Sequence, residues 1–174
     1  SLDRNGKVIW EKYYGAPGYG REESMGKDIR PTRDGGYVLT GWKMTKLVPR
    51  GTKYVMIVQK IDARGNSLWE KAFPFEVDYS TGLTIQEMKK GGFIVSGHVP
   101  GSYEMPANKK TITRWIRPGG AFVARLDNQG NTVWKKLFKA RYVHFYDEQK
   151  QYLALEEGDH IYVAYTFGRP EGEN

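Results

Sequence analysis

The chain of 174 residues contains no cysteine, which excludes disulfides and thiolate metal sites and leaves the fold to be held by packing and hydrogen bonds. No stretch approaches the ~20 consecutive apolar residues of a membrane-spanning helix. No window of about ten residues or more repeats its apolar positions every 3.6 residues, so little or no helix is expected. The serines lack a Gly-x-Ser-x-Gly setting, which removes the commonest hydrolase nucleophile. His98, His144 and His160 share no spacing and read as structural or exposed rather than as metal ligands. No signal peptide is recognisable and the sequence opens on Ser1 rather than Met, as a processed or partial product would.

Aromatic residues, by contrast, make up 14% of the chain and hydrophobic residues 39%, a globular composition. With 21 glycines and closely spaced β-branched and aromatic residues, an all-β fold is expected. One segment is written three times. Leu2-Asp3-Arg4-Asn5-Gly6-Lys7-Val8-Ile9-Trp10-Glu11-Lys12 returns from Ile61 to Lys71 and again from Leu126 to Lys136. In every copy a glycine stands three residues after the aspartate, a tryptophan seven after it and a lysine nine after it. The conserved positions are Asp3, Gly6 and Trp10, then Asp62, Gly65 and Trp69, then Asp127, Gly130 and Trp134. Self-similarity at a spacing of about 60 residues is the mark of a repeat architecture. The aspartate suits a turn, where its carboxylate folds back onto backbone N–H groups. The glycine supplies the positive φ of a short hairpin loop. The tryptophan is expected to be carried inward as a wedge between neighbouring sheets, since a position repeated in every unit is a packing position. Recurrence in each turn also assigns the three aspartates to turn chemistry rather than to catalysis.

Read in order, residues 7–14 are expected as a leading strand. Strands near 25–32, 37–42, 54–62 and 66–74 follow, with Arg33-Asp34-Gly35-Gly36 as a tight turn. A second unit repeats the plan over 82–139, with Lys90-Gly91-Gly92 in place of Asp34-Gly35-Gly36 and a long loop at 99–119. A third begins near 142 and runs to about 168. Repeated four-stranded meanders of this size read as β-propeller blades: a leading strand, blades at 25–74 and 82–139, and a partial blade at 142–168. These two and a half to three blades fall short of the four to eight that typically close a ring. The chain is therefore expected to be an incomplete propeller or part of a longer one, completed by further blades of the same polypeptide, by other copies or by a cap.

The pairing of hydrophobic-Asp-x-x-Gly-Asn-x-x-Trp-x-Lys with Asp-Gly-Gly-aromatic-x-x-x-Gly resembles the secreted and surface propeller repeats of bacteria and archaea. It covers residues 2–14, 34–42, 61–73, 90–98 and 126–138. The resemblance implies an extracytoplasmic protein: secreted, on the cell surface or periplasmic. The hairpin is also similar to the tryptophan-docking repeat of quinoprotein (PQQ-type) propellers, though each copy is shorter and lacks the Thr before the Gly. Neither a vicinal Cys pair nor a singled-out Glu–Asn–Asp set is present, so no cofactor is expected.

The net charge of +7 is concentrated in two connections. Segment 43–53 carries Lys43, Lys46, Arg50 and Lys53, with Tyr54 beside them; segment 99–119 carries Lys109, Lys110, Arg114 and Arg117 against Glu104, with Tyr103 and Trp115. In a meander these long connections leave from one face, where repeat proteins often place their working surface. A cationic face studded with aromatics suits an anionic polysaccharide, lipid headgroups, nucleic acid or an acidic protein surface; the equal alternative is that the basic loops are simply solvated. No recognition motif accompanies the charge, which weighs against nucleic acid. The expected function is a non-catalytic binding or assembly module. The alternatives are part of a propeller enzyme, quinoprotein-like or glycan-active, with its catalytic residues outside these blades, and a structural subunit of a larger assembly. Leu47-Val48-Pro49-Arg50-Gly51 resembles a thrombin cleavage sequence, natural or inserted, and is expected to be protease-sensitive.

Overall fold

The computed structural model describes residues 1–14, 24–46, 52–73, 75, 79–99, 102–104, 114–117, 119–140, 152–157 and 160–165. Every regular element among them is a strand. Strands β1 (Ser24–Pro31), β2 (Tyr37–Lys46), β3 (Thr52–Ile61) and β4 (Ser67–Phe73) form one four-stranded antiparallel sheet in sequence order. The second sheet uses β5 (Thr81–Glu87), β6 (Phe93–Val99), β9 (Gly119–Leu126) and β10 (Thr132–Ala140) in the same plan. Between β6 and β9 lie two short strands, β7 (Ser102–Glu104) and β8 (Arg114–Arg117), paired with each other. The last two, β11 (Tyr152–Glu157) and β12 (His160–Tyr165), make a two-stranded sheet. Neither four-stranded sheet closes on itself.

The turns follow from local chemistry. In each Asp–Gly hairpin the aspartate Oδ1 accepts the backbone N–H groups two and four residues on. The distances are 2.8 and 2.9 Å at Asp3, 2.8 and 2.8 Å at Asp62, and 2.9 and 2.8 Å at Asp127. Gly6, Gly65 and Gly130 then take φ of 82°, 77° and 78°, a region that costs residues with a Cβ about 1–2 kcal/mol. The turns at Asp62 and Asp127 are each followed by a bulge: Trp69 faces Lys60 while Ser67 faces Ile61, and Trp134 faces Arg125 while Thr132 faces Leu126. The extra residues, Leu68 and Val133, are pushed outward and stand exposed.

Successive side chains point to opposite faces, so one face of the first sheet meets the second sheet, while β3 is buried at every residue from Val55 to Ile61. Val38, Met56, Val58 and Phe73 pack against Ile85, Phe93, Val95, Phe122, Ala124 and Leu126 of the second sheet. The close approach of the sheets needs Gly82, whose Cβ would fall 1.9 Å from Thr40 Oγ1. Polar ties finish the contact: Ile85 N–H donates to Asp28 Oδ2 at 3.0 Å, and the Arg33 guanidinium donates to the carbonyls of Met88 and Lys89 at 2.7 and 2.8 Å. On its other face the second sheet carries Met88, Ile94 and Val123, covered in part by Ile161 and Val163 of β12. The order in space is therefore first sheet, second sheet, hairpin.

Two expectations are corrected. Residues 7–14 form no strand; Val8 makes only an isolated bridge with Leu2. The later tryptophan strands pair with the strand before their aspartate, whereas Trp10, Lys12 and Tyr14 bond instead to the Ala63 carbonyl, Asn66 Oδ1 and the Gly65 carbonyl of the next copy. The segment 99–119, expected as a long loop, carries the β7–β8 ladder.

Candidate functional site

The three repeated tryptophans do not sit in the core. Trp10 lies across Gly65, the turn glycine of the next copy, with a ring carbon 2.7 Å from where a Cβ would stand. Its Nε1 donates to the Ala63 carbonyl at 3.2 Å. Trp69 lies in the same way across Gly130, with ring carbons 2.8 Å from the Cβ position, and meets Phe93 edge-on at 5.7 Å between centroids. Both rings are half-buried and both glycines beneath them are buried. The expected buried wedge is thus a latch on the rim. The bulge places the ring at the end of the sheet, where only a residue without a side chain leaves room for it.

A lysine completes each latch. Lys12 Nζ donates to Asn66 Oδ1 at 3.2 Å and Lys71 Nζ to Asn131 Oδ1 at 3.4 Å. Each asparagine follows the covered glycine and is itself tied to the turn aspartate, at 2.9 Å for Asn66–Asp62 and 3.0 Å for Asn131–Asp127. The Asn66 and Asn131 backbone N–H groups are the first cause that holds the Asp62 and Asp127 carboxyls below the ordinary range. These carboxylates are spent on the turns.

The third copy differs. Trp134 is 37% exposed, and it is not among the nearest atoms to any described glycine. The Lys136 ammonium lies over the Phe138 ring, 5.9 Å from its centroid. At the other end of the series, Gly6 has nothing within 4 Å of its Cβ position, and Lys7 stands where the later copies have asparagine.

The short turns of the two sheets lie side by side, Arg33 against Glu87, Met88 and Lys89, so the long connections leave from the opposite end of both sheets. There the β2–β3 ladder ends with Thr45 opposite Lys53 and Lys46 opposite Thr52, next to Lys43 and Tyr54. Lys43 is ion-paired with Glu70 at 3.3 Å. Tyr54 belongs to an aromatic group with Trp42 at 5.0 Å and Tyr79 at 5.8 Å, and its carbonyl accepts the Ser80 N–H at 2.9 Å. This cluster ties the chain between the sheets to β3. In the β7–β8 ladder Tyr103 faces Trp115, Glu104 faces Arg114 and Ser102 faces Arg117. Arg50, Lys109, Lys110 and the Leu47–Gly51 sequence lie outside the described residues.

No protein-family model and no curated protein matches this chain.

One further concavity was not visible in the sequence. A groove of ≈ 910 Å³ runs over the other face of the first sheet, between residues 12–14 and strands β1 to β4. Leu39, Ile57 and half-exposed Met25 and Ile29 give it an apolar floor, while Lys12, Tyr14, Asp28, Lys43 and Glu70 line it with polar groups. Gln59 also borders it; its amide donates to Ser67 Oγ at 3.0 Å while Oε1 is buried without a partner. These residues come from separate elements, so no local pattern marks them. Among the described residues no group of three His, Cys, Asp or Glu side chains could hold a metal ion, and no helix is long and apolar enough to cross a membrane. His98 is half-buried in β6 and His160 exposed at the start of β12, in different sheets; His144 lies outside the described residues.

Proposed function

We propose that this chain is a non-catalytic binding or assembly module, an extracytoplasmic β-propeller segment that holds an acidic protein or an anionic polysaccharide on the long-connection end of its sheets. The blade reading is supported by two consecutive four-stranded meanders stacked face to face, by one kind of latch that joins residues 10–12 to the first and the first to the second, and by a hairpin packed on the second sheet's other face. The extracytoplasmic assignment rests on the resemblance of the repeats.

The observation that carries the binding reading is the gathering of Lys46 and Lys53 at the end of the β2–β3 ladder, with Arg114 and Arg117 on a hairpin at the corresponding connection of the second sheet. Lys43, already paired with Glu70, contributes less free charge. The turn aspartates, by contrast, are engaged at the opposite end. A cation-rich end with an acid-engaged opposite end steers acidic partners to one side. The test is retention on an immobilised sulfated polysaccharide as a function of salt. Reversing Lys46, Lys53, Arg114 and Arg117 to Glu lowers the salt needed for elution to that of an uncharged control matrix. Retention unchanged by the four reversals overturns the reading.

A further inference from the structure

The latch between copies has a knob and a socket. The knob is the tryptophan with the lysine two residues on; the socket is the next copy's Gly-Asn turn. Trp10 and Lys12 fill the socket at Gly65 and Asn66, and Trp69 and Lys71 fill the one at Gly130 and Asn131. Trp134 and Lys136 present the same knob, with the ring 37% exposed and the lysine resting on Phe138 instead of an asparagine.

A second observation, from hydrogen bonding, points to the same place. In both four-stranded sheets the second strand pairs on each side, β2 with β1 and β3, β6 with β5 and β9. Strand β12 occupies the corresponding position in the third unit, and among the described residues it pairs with β11 alone. Among the described residues no strand pairs with its other edge, which is a template for one more strand. Its Ile161 and Val163 are already seated on the second sheet, so the edge is held in place.

We infer that the β12 edge and Trp134 together form a docking surface for a β-hairpin whose turn reads Asp-x-x-Gly-Asn. The strand before the aspartate adds to β12 as β3 adds to β2. The turn glycine then passes under the Trp134 ring, and the asparagine accepts from Lys136 as Asn66 and Asn131 accept from Lys12 and Lys71. A second copy of this chain is the poorer occupant. Its uncovered turn glycine is Gly6, followed by Lys7, so docking would bring Lys136 against a like charge with no amide acceptor. The inference stands on the repeat geometry and needs no ligand at the basic end of the molecule.

The probe is a synthetic peptide with the sequence of residues 52–73, which carries Asp62, Gly65 and Asn66, titrated into the 174-residue chain by calorimetry. Binding at one peptide per chain is expected, with β12 amides gaining protection from hydrogen exchange. Trp134→Ala in the chain and Gly65→Ala in the peptide should each weaken it by about tenfold or more, the loss typical of a central aromatic anchor. Trp10→Ala, at a latch already filled, should leave it unchanged. No binding, binding indifferent to Trp134→Ala, or protection gained elsewhere than β12 overturns the inference. So does self-association of the chain alone that depends on both Trp134 and Gly6, since that assigns the surface to a second copy. The charge reversals at the basic end should not alter peptide binding, and Trp134→Ala should not alter polysaccharide retention, so the two readings fail separately.

Discussion

Trp69→Ala and Trp134→Ala remove the same residue from the same repeat position, and the structure assigns them different costs. Trp69 covers Gly130, meets Phe93 edge-on at 5.7 Å and borders the main core. Truncating a fully buried tryptophan costs about 3–5 kcal/mol, and a half-buried ring loses proportionately less. The aromatic pair with Phe93 adds about 0.5–1.5 kcal/mol beyond area. Together these place Trp69→Ala near 3 kcal/mol, because Gly130 and Phe93 cannot move to fill the space. Trp134, 37% exposed, covers no described glycine and loses no edge-on ring pair among the described residues, so its removal should cost less, about 1–2 kcal/mol. For a domain of this length 1 kcal/mol moves the melting temperature by about 2–4 °C, which predicts a drop near 6–12 °C for Trp69→Ala and about 2–8 °C for Trp134→Ala. Urea unfolding followed by far-ultraviolet circular dichroism is the suitable assay, since fluorescence changes with the tryptophan count. Equal losses of stability in the two variants, at equal denaturant slopes, would refute the assignment of Trp69 to a filled latch and Trp134 to an open one.

Other perturbations test other parts of the fold. Gly65→Ala and Gly130→Ala should destabilise more than Gly6→Ala: all three incur about 1–2 kcal/mol of left-handed strain, but only the first two thrust a Cβ into a tryptophan ring, and urea midpoints read the difference. The Asp34 carboxyl is held down to about 2 from 3.8, first by the Thr32 hydroxyl, then by Lys60 and the Gly36 N–H. A depressed carboxyl stabilises the fold above its unfolded value of 3.8, and that contribution disappears as pH falls towards about 2. Asp34→Asn should therefore reduce the stability difference between pH 5 and pH 2, and unfolding curves in which wild type and variant fall in parallel over that interval refute the pairing. Arg33→Ala, which frees the Met88 and Lys89 carbonyls and breaks an exposed ion pair with Glu87, should cost about 1 kcal/mol in thermal unfolding, with no change in polysaccharide retention. Gly82→Ala should cost several-fold more, because its Cβ would overlap Thr40, whose hydroxyl is held by the Ile57 carbonyl at 2.8 Å; an increment below that of Arg33→Ala would show that the sheets can separate at little cost.

What the sequence determined alone is what neighbours in the chain can decide. Asp62 finds its partners two and four residues away, Gly65 needs only its own φ, and the strand from Tyr37 to Trp42 is written in its β-branched and aromatic residues. The all-β class and the turn role of the three aspartates were legible for that reason. The tertiary structure decided where the repeated parts go. The tryptophan was readable as a packing residue, yet its seat, the glycine of the following copy, is about 60 residues away and set by how the sheets stack. Lys43 read as a free cation until folding placed Glu70 beside it, and Tyr54 read as a surface aromatic until Trp42 and Tyr79 closed around it. The groove over the first sheet draws its lining from residues 12–14 and 24–29 and from scattered positions of β2, β3 and β4, which only folding brings together. Short-range hydrogen bonding writes itself into spacing. Long-range juxtaposition does not, because any sequence with the right volume and charge at each contact would serve.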